Sequence, residues 1–158
     1  MKDTATSIEY FTPTLGLQLE PYLARELKQG IHHLGRYHWA RSVLVQREPR
    51  RILDIACGSG YGSFLLASAL PEAVVVGADY DARAIDLART TYAADNLQYL
   101  MADITRWTTG EKALGTFDVV ISFDTIEHLL HREVALLRIC ENLSDDGCLF
   151  LSTPCGHA

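Results

Sequence analysis

The run Arg51-Ile-Leu-Asp-Ile-Ala-Cys-Gly-Ser-Gly-Tyr-Gly62 constrains the fold of this chain more than any other segment, because it joins a short apolar strand to a glycine loop with an acid fixed between them. Ile52, Leu53 and Ile55 read as a buried strand, and Gly58, Gly60 and Gly62 let the backbone turn tightly and approach a ligand. The pattern points to a nucleotide-like cofactor. Asp54, four residues before Gly58, narrows the choice. A carboxylate there repels a pyrophosphate and attracts an ammonium or a sulfonium.

Four further segments have the same strand character. Val74-Val-Val-Gly-Ala-Asp79 ends in an acid about twenty residues after the loop, the spacing at which a carboxylate takes ribose hydroxyls. Tyr99-Leu-Met-Ala-Asp103, Phe117-Asp-Val-Val-Ile-Ser-Phe-Asp124 and Gly147-Cys-Leu-Phe-Leu-Ser-Thr-Pro154 follow. Helical patterns are expected between them, over about 62–70, 82–93, 106–114 and 127–143. Strand and helix in alternation predict an α/β fold: a Rossmann-like, doubly wound parallel sheet with helices on both faces and its ligand crevice beyond the carboxyl ends of the strands. Ahead of it, residues 1–16 read as loosely ordered, Leu19, Leu23 and Leu27 repeat at helical spacing up to Gly30, and a second helix is expected over 34–46. The expected organisation is an amino-terminal helical cap over 1–48 and a core over 49–158.

With these motifs in register over residues 51–154, the sequence resembles the class I S-adenosylmethionine-dependent methyltransferases of the small-molecule type, similar to the O-methyltransferases of ubiquinone biosynthesis. The resemblance implies S-adenosyl-L-methionine as cofactor and S-adenosyl-L-homocysteine as product. It implies that Gly58 and Gly60 admit the methionyl part, with Ala56 and Phe123 in the same cofactor-binding set. Asp54 acts toward the amino group through the loop amides or water, or else makes a structural bond to the loop. Asp79 accepts from the ribose hydroxyls, Tyr80 lies on the adenine face, Asp103 accepts from the adenine amine and Ile104 lies against the ring. Helix capping is the competing role for Asp79 and Asp103, although Asp81 is itself a suitable cap. In His33-Leu-Gly-Arg-Tyr37, Arg36 or Tyr37 closes over the cofactor and meets its carboxylate. His32, His33 and His38 read as exposed helix residues.

Ser122-Phe-Asp-Thr-Ile-Glu-His-Leu129 carries the candidate chemistry. Methyl transfer chiefly requires a nucleophile held in line and water excluded, and an oxygen nucleophile gains from losing its proton. His128 is the candidate catalytic base, since an imidazole titrates near neutral pH. Asp124, Glu127 and His128 at i, i+3 and i+4 would share one helical face and could hold a Mg²⁺ ion; helix-start capping is the third reading.

Composition sets outer limits. The 158 residues are 48% hydrophobic, enough for one globular core, and the formal charge of −6 disfavours nucleic acid. A small-molecule acceptor is expected, and the resemblance implies that an oxygen of it takes the methyl group. No Asn/Asp-Pro-Pro-aromatic motif follows the fourth strand, which disfavours methylation of DNA bases. Cys57, Cys140, Cys148 and Cys155 lack paired metal spacing and read as reduced packing residues, so the expected address is cytoplasmic, without membrane insertion. The family continues past its fifth strand with a helix and an antiparallel pair, which this sequence is expected to lack. A homodimer or partner chain could then cover the exposed sheet edge. Two rivals stand beside this reading: a non-catalytic S-adenosylmethionine-binding domain or fragment, and an NAD(P)-binding oxidoreductase.

Overall fold

The computed structural model describes the backbone of residues 28–154 and side chains from residue 32 onward. The expectations for residues 1–16, for most of the helix over 19–30 and for Cys155 lie outside the described residues. Helix α1 spans Lys28–Arg47, one continuous element that begins before the expected start at 34. Leu34, Tyr37, Ala40 and Leu44 recur at helical spacing and form its buried face. Glu48, at φ 49°, closes the helix with its N–H on the Leu44 carbonyl (3.1 Å), and Pro49 cannot extend it.

Seven strands follow among the described residues: β1 (Arg51–Ile55), β2 (Val74–Asp79), β3 (Leu97–Met101), β4 (Thr108–Thr109), β5 (Lys112–Ala113), β6 (Phe117–Phe123) and β7 (Leu143–Ser152). The helices between them are α2 (Tyr61–Ala69), α3 (Ala82–Thr91) and α4 (Arg132–Asn142). Five strands make one parallel sheet in the order β3-β2-β1-β6-β7. Connections run outward from β1 in one direction and then return to its other side, so the order reverses between β1 and β6. That reversal leaves a crevice at their carboxyl ends.

Period-two alternation assigns the two faces of the sheet. Ile52, Val75, Val119 and Ile121 point into a core shared with Leu34 and Leu44 of α1, Leu66 of α2 and Ile85 of α3. Leu53, Ile55, Val76 and Val120 point the other way, toward Ala135 and Ile139 of α4 and toward Ile104, Trp107 and Leu114. Asp54 falls in the first register, between the apolar Ile52 and the helices. An acid is thereby placed where its neighbours require a hydrocarbon.

Two expected helices differ. Residues 106–114 form the two-stranded hairpin β4–β5, paired Thr108 with Ala113 and Thr109 with Lys112. Gly110 at φ 59° makes the turn, and the β-branched Thr108 and Thr109 suit a strand. The segment 127–143 divides into a short 3₁₀ turn, Ile126–His128, and α4. Of the cysteines, Cys57 is buried, Cys148 is half-buried and Cys140, contrary to its expected packing role, is exposed.

Candidate functional site

The carboxyl ends of β1, β2 and β6, together with one flank of α1, enclose a cavity of about 520 Å³. The glycine loop is its floor. Cys57 N–H donates to the Ala78 carbonyl and Gly60 N–H to the Cys57 carbonyl, both at 3.0 Å, so β2 fixes the loop before α2 begins. Gly58 and Gly60 have φ of 54° and 85°, and Ala56 at 63° shares this left-handed region without a glycine's freedom. Ala56 and Gly58 line the cavity; Gly60 lies beneath the wall, where a Cβ would come within 2.7 Å of Ala88 and Tyr99. The Tyr99 hydroxyl donates to the Gly60 carbonyl at 2.8 Å and holds the loop from below.

Asp79, at the end of β2, braces the loop from the side. Its Oδ2 accepts from Gly58 N–H and its Oδ1 from Asp81 N–H, each at 2.9 Å. Helix α3 is capped by Asp81, which accepts from Arg83 N–H at 2.9 Å. Asp79 is therefore left in the cavity wall with lone pairs on both oxygens beyond the two amides. Tyr80 beside it is 79% exposed and lines the same end.

Asp54 is fully buried and does not line the cavity. Its carboxylate accepts from the Tyr37 hydroxyl (3.0 and 3.2 Å to its two oxygens) and from Ser63 Oγ (2.6 Å). This corrects the expected route through the loop amides: the acid is satisfied by hydroxyls of α1 and α2. Burial pushes its carboxyl up to about 7, against the pull of the Ser63 and Tyr37 bonds and with a further push from Asp79. Tyr37, expected to meet a ligand carboxylate, instead has its hydroxyl turned down onto Asp54. Its ring forms wall, meeting Tyr61 and Phe123 edge-on at centroid distances of 5.4 and 5.1 Å.

Arg36 crosses from α1 to the end of β6, where it pairs with the Asp124 carboxylate and donates to His33 Nδ1 at 2.9 Å. Its Nε is buried without a partner, and its guanidinium lies 6.0 Å from the centre of the Phe123 ring. Asp124 adopts a left-handed φ of 50°, a conformation unfavourable for a non-glycine residue that turns its side chain back to the cavity. His33, expected to be exposed, is half-buried in the wall, and burial followed by the Arg36 charge holds its imidazole below the usual value.

Two expected groupings are not assembled. Asp103 accepts from Thr105 N–H (2.8 Å) and Thr105 Oγ1 (2.6 Å) in a local turn, and neither it nor Ile104 lines the cavity. Ile104 is buried with Trp107 on the opposite face of the sheet. Likewise Asp124, Glu127 and His128 do not converge. Asp124 is engaged by Arg36 and Ser152, Glu127 accepts from Thr153 Oγ1 at 3.2 Å, and the intervening backbone is a 3₁₀ turn, which loses the shared face of an α-helix. No three metal-binding side chains come together among the described residues. His128 does line the cavity, with its side chain 77% exposed at the rim and Nε2 3.9 Å from Glu127.

Ser59, Tyr61, Ala84, Thr125 and Leu129 also line the wall without having been singled out from sequence, and Cys57 and Asp81, read there as a packing residue and a helix cap, line it too. Ser63 was missed as well. Its signal was positional, since a buried acid in β1 needs donors and the first turn of α2 passes over it.

The sequence matches the family described as a methyltransferase domain over residues 52–147, from β1 into β7. The chain belongs to that family. Among curated relatives of this methyltransferase domain, the malonyl-[acyl-carrier protein] O-methyltransferase of Bacillus anthracis is 32% identical over 103 residues, covering 65% of this chain and 37% of that protein. The enzyme of the same name from Bacillus cereus is 31% identical and covers 73% and 43%. A probable S-adenosylmethionine-dependent methyltransferase of Mycobacterium tuberculosis is 30% identical and covers 74% and 43%. The chain thus spans less than half the length of these three relatives. In fold it is similar to a plantazolicin methyltransferase solved with a monoazolic desmethylPZN analog and SAH (TM-score 0.63, 20% identity, 84% of this chain and 50% of that one). An N-methyltransferase of Bradyrhizobium japonicum solved with S-adenosyl-l-homocysteine is similarly related (TM-score 0.63, 20% identity, 82% and 63%).

Proposed function

We propose that this domain binds S-adenosyl-L-methionine and transfers its methyl group to an oxygen of a small-molecule acceptor. The observation that carries the reading is the cavity at the sheet's reversal, with Asp79 at one end and Arg36 at the other. Its volume suits a small ligand, and its ends match one that offers hydroxyls to an acid and a carboxylate to a guanidinium. Asp79 retains acceptor capacity for a hydroxyl pair, and Tyr80 offers an exposed ring for a base. Arg36 lines the other end, its guanidinium held there by Asp124. Gly58, Ala56 and Phe123 form the wall between these ends. Asp103 and Ile104 lie outside that wall. The relatives named as O-methyltransferases favour oxygen as acceptor atom.

When bound, the cofactor supplies an electrophilic methyl on sulfur. The chain's own part is positioning and exclusion of water, for which Tyr37 and Phe123 supply apolar wall. In this proposal His128, at the rim, takes the proton from an entering hydroxyl. We further propose a cytoplasmic setting, in which the free cysteines stay reduced; among the described residues no helix is long and apolar enough to cross a membrane. The outer edge of β7 is unpaired among the described residues, and a second copy or partner strand there is the oligomeric part of the proposal.

The test is calorimetric titration with S-adenosyl-L-homocysteine and, in parallel, NADH. Saturable binding of the first alone is expected, weakened by ~1–3 kcal/mol in Asp79→Ala. Binding of NADH alone would replace the reading with the oxidoreductase one, and binding of neither would end it. His128→Ala should bind as the parent does and transfer more slowly. Cofactor binding without transfer to any acceptor would leave only a binding domain.

A further inference from the structure

The buried hydrogen bonds of Tyr37, Asp54 and Ser63 lie beneath the cavity wall: the Tyr37 ring is part of that wall, while Asp54 and Ser63 do not line it. Each residue comes from a different element: Tyr37 from α1, Asp54 from β1 and Ser63 from the first turn of α2. All three are buried, and Asp54 and Ser63 have essentially no exposed surface. Hydroxyl–carboxylate bonds out of water are among the stronger ones, and a charge left there with fewer donors is costly. The ring of Tyr37 is seated with equal specificity. A Cβ at Gly62 would lie 2.1–2.5 Å from its carbons, so α2 has its smallest residue where the ring enters.

These contacts link two parts that the sequence separates. Ser63 follows the glycine loop directly, and Asp54 precedes it by four residues, so the carboxylate is fastened to both ends of the loop. Tyr37 is the outside member. It reaches the same carboxylate from a helix that also contributes Arg36 and His33 to the cavity wall.

We propose that Tyr37 is a positioning residue that couples the cap to the cofactor loop: its hydroxyl on Asp54 docks α1 and sets the Ala56–Gly60 backbone together, so that ligand binding and ordering of α1 are one event. This rests on the cofactor reading above. Coupling of this kind is reciprocal, so a ligand that favours the set loop must tighten α1. Tyr37→Phe isolates the hydroxyl, because it keeps the ring in the wall and against Gly62.

The experiment compares the full chain, Tyr37→Phe and Asn96→Ala. Asn96 donates its side-chain amide to the carbonyls of Ala67, Leu70 and Ala73 at 2.9–3.1 Å, a structural clasp at the opposite end of the sheet. It supplies a variant destabilised without touching the cavity. Each protein is titrated with S-adenosyl-L-homocysteine well below its melting temperature, and amide exchange over residues 32–47 is followed with and without ligand. Tyr37→Phe is expected to weaken binding about tenfold, the scale of one net hydrogen bond, and to abolish the ligand-induced protection of α1 seen in the parent. Asn96→Ala should lower the melting temperature with affinity and protection retained. Parental affinity in Tyr37→Phe, or α1 exchange that ignores ligand in the parent, would overturn the proposal while leaving the cofactor reading intact. Absence of binding by the parent would remove both.

Discussion

Asp54 is an acid at a position whose neighbours in the period-two register are Ile52 and the underside of two helices. Its carboxyl is pushed up to about 7 by burial, where an unfolded aspartate lies at about 3.9. The folded state therefore holds this proton more tightly, and its contribution to stability falls as pH rises from about 4 to about 7, then stays level. The full span is roughly 4 kcal/mol by linkage. His33 and His38, held low chiefly by burial, act oppositely, gaining stability as pH rises toward 6.5. Asp54→Asn removes the carboxyl while leaving them in place, and the Tyr37 and Ser63 hydroxyls can reorient toward an amide. Urea denaturation from pH 4.5 to 8 should give a difference between parent and variant that grows steadily with pH in the variant's favour up to about 7. A constant difference would mean that Asp54 is ionised throughout. The sequence made the acid conspicuous and its neighbours obscure, because the donors lie nine and seventeen positions away on separate helices.

At the level of elements, what was legible followed from periodicity. β1, β2 and β6, α2 and α3 all fall within a few residues of their expected bounds, since each is fixed by apolar alternation or a helical stripe and bounded by Gly, Asp or Pro. The hairpin β4–β5 was not legible as such: Arg106–Leu114 contains apolar residues at helical intervals, but Trp107 enters the second core at φ 58° and Gly110 turns the chain. The metal grouping failed for a similar reason, since i, i+3, i+4 convergence presumes an α-helix and the chain makes a 3₁₀ turn there. Helix docking offers a sharper test through two glycines that sequence cannot tell apart. Gly35, in α1, has nothing within 4 Å of a Cβ, so Gly35→Ala should stabilise by about 0.5–1 kcal/mol through helix propensity. Gly62→Ala gains the same propensity but drives a methyl into the Tyr37 ring, and overpacking of ~1–3 kcal/mol should outweigh it. Thermal melts of the two variants should move in opposite directions. A stabilising Gly62→Ala would show that Tyr37 is not seated against α2.

On the scale of the whole molecule, the sheet is one continuous body whose cavity draws walls from the loop after β1, from β2 and β6, and from α1, α2 and α3. No single element can leave without opening it, so ligand binding should be felt by the fold as a unit. At a concentration one hundred times its dissociation constant, a ligand exclusive to the folded state adds about 2.7 kcal/mol. For a domain of this size that corresponds to roughly 5–11 °C in melting temperature. S-adenosyl-L-homocysteine should therefore raise a single unfolding transition by that amount, followed both by tryptophan emission, with Trp39 on α1 and Trp107 behind the sheet, and by far-ultraviolet dichroism. The two tryptophans lie on opposite sides of the sheet, which makes their agreement informative. Dichroism that shifts while part of the fluorescence change stays at the unliganded temperature would divide the molecule into a responsive part and an indifferent one. It would also separate the cavity from the layer that α4 and the hairpin build behind it.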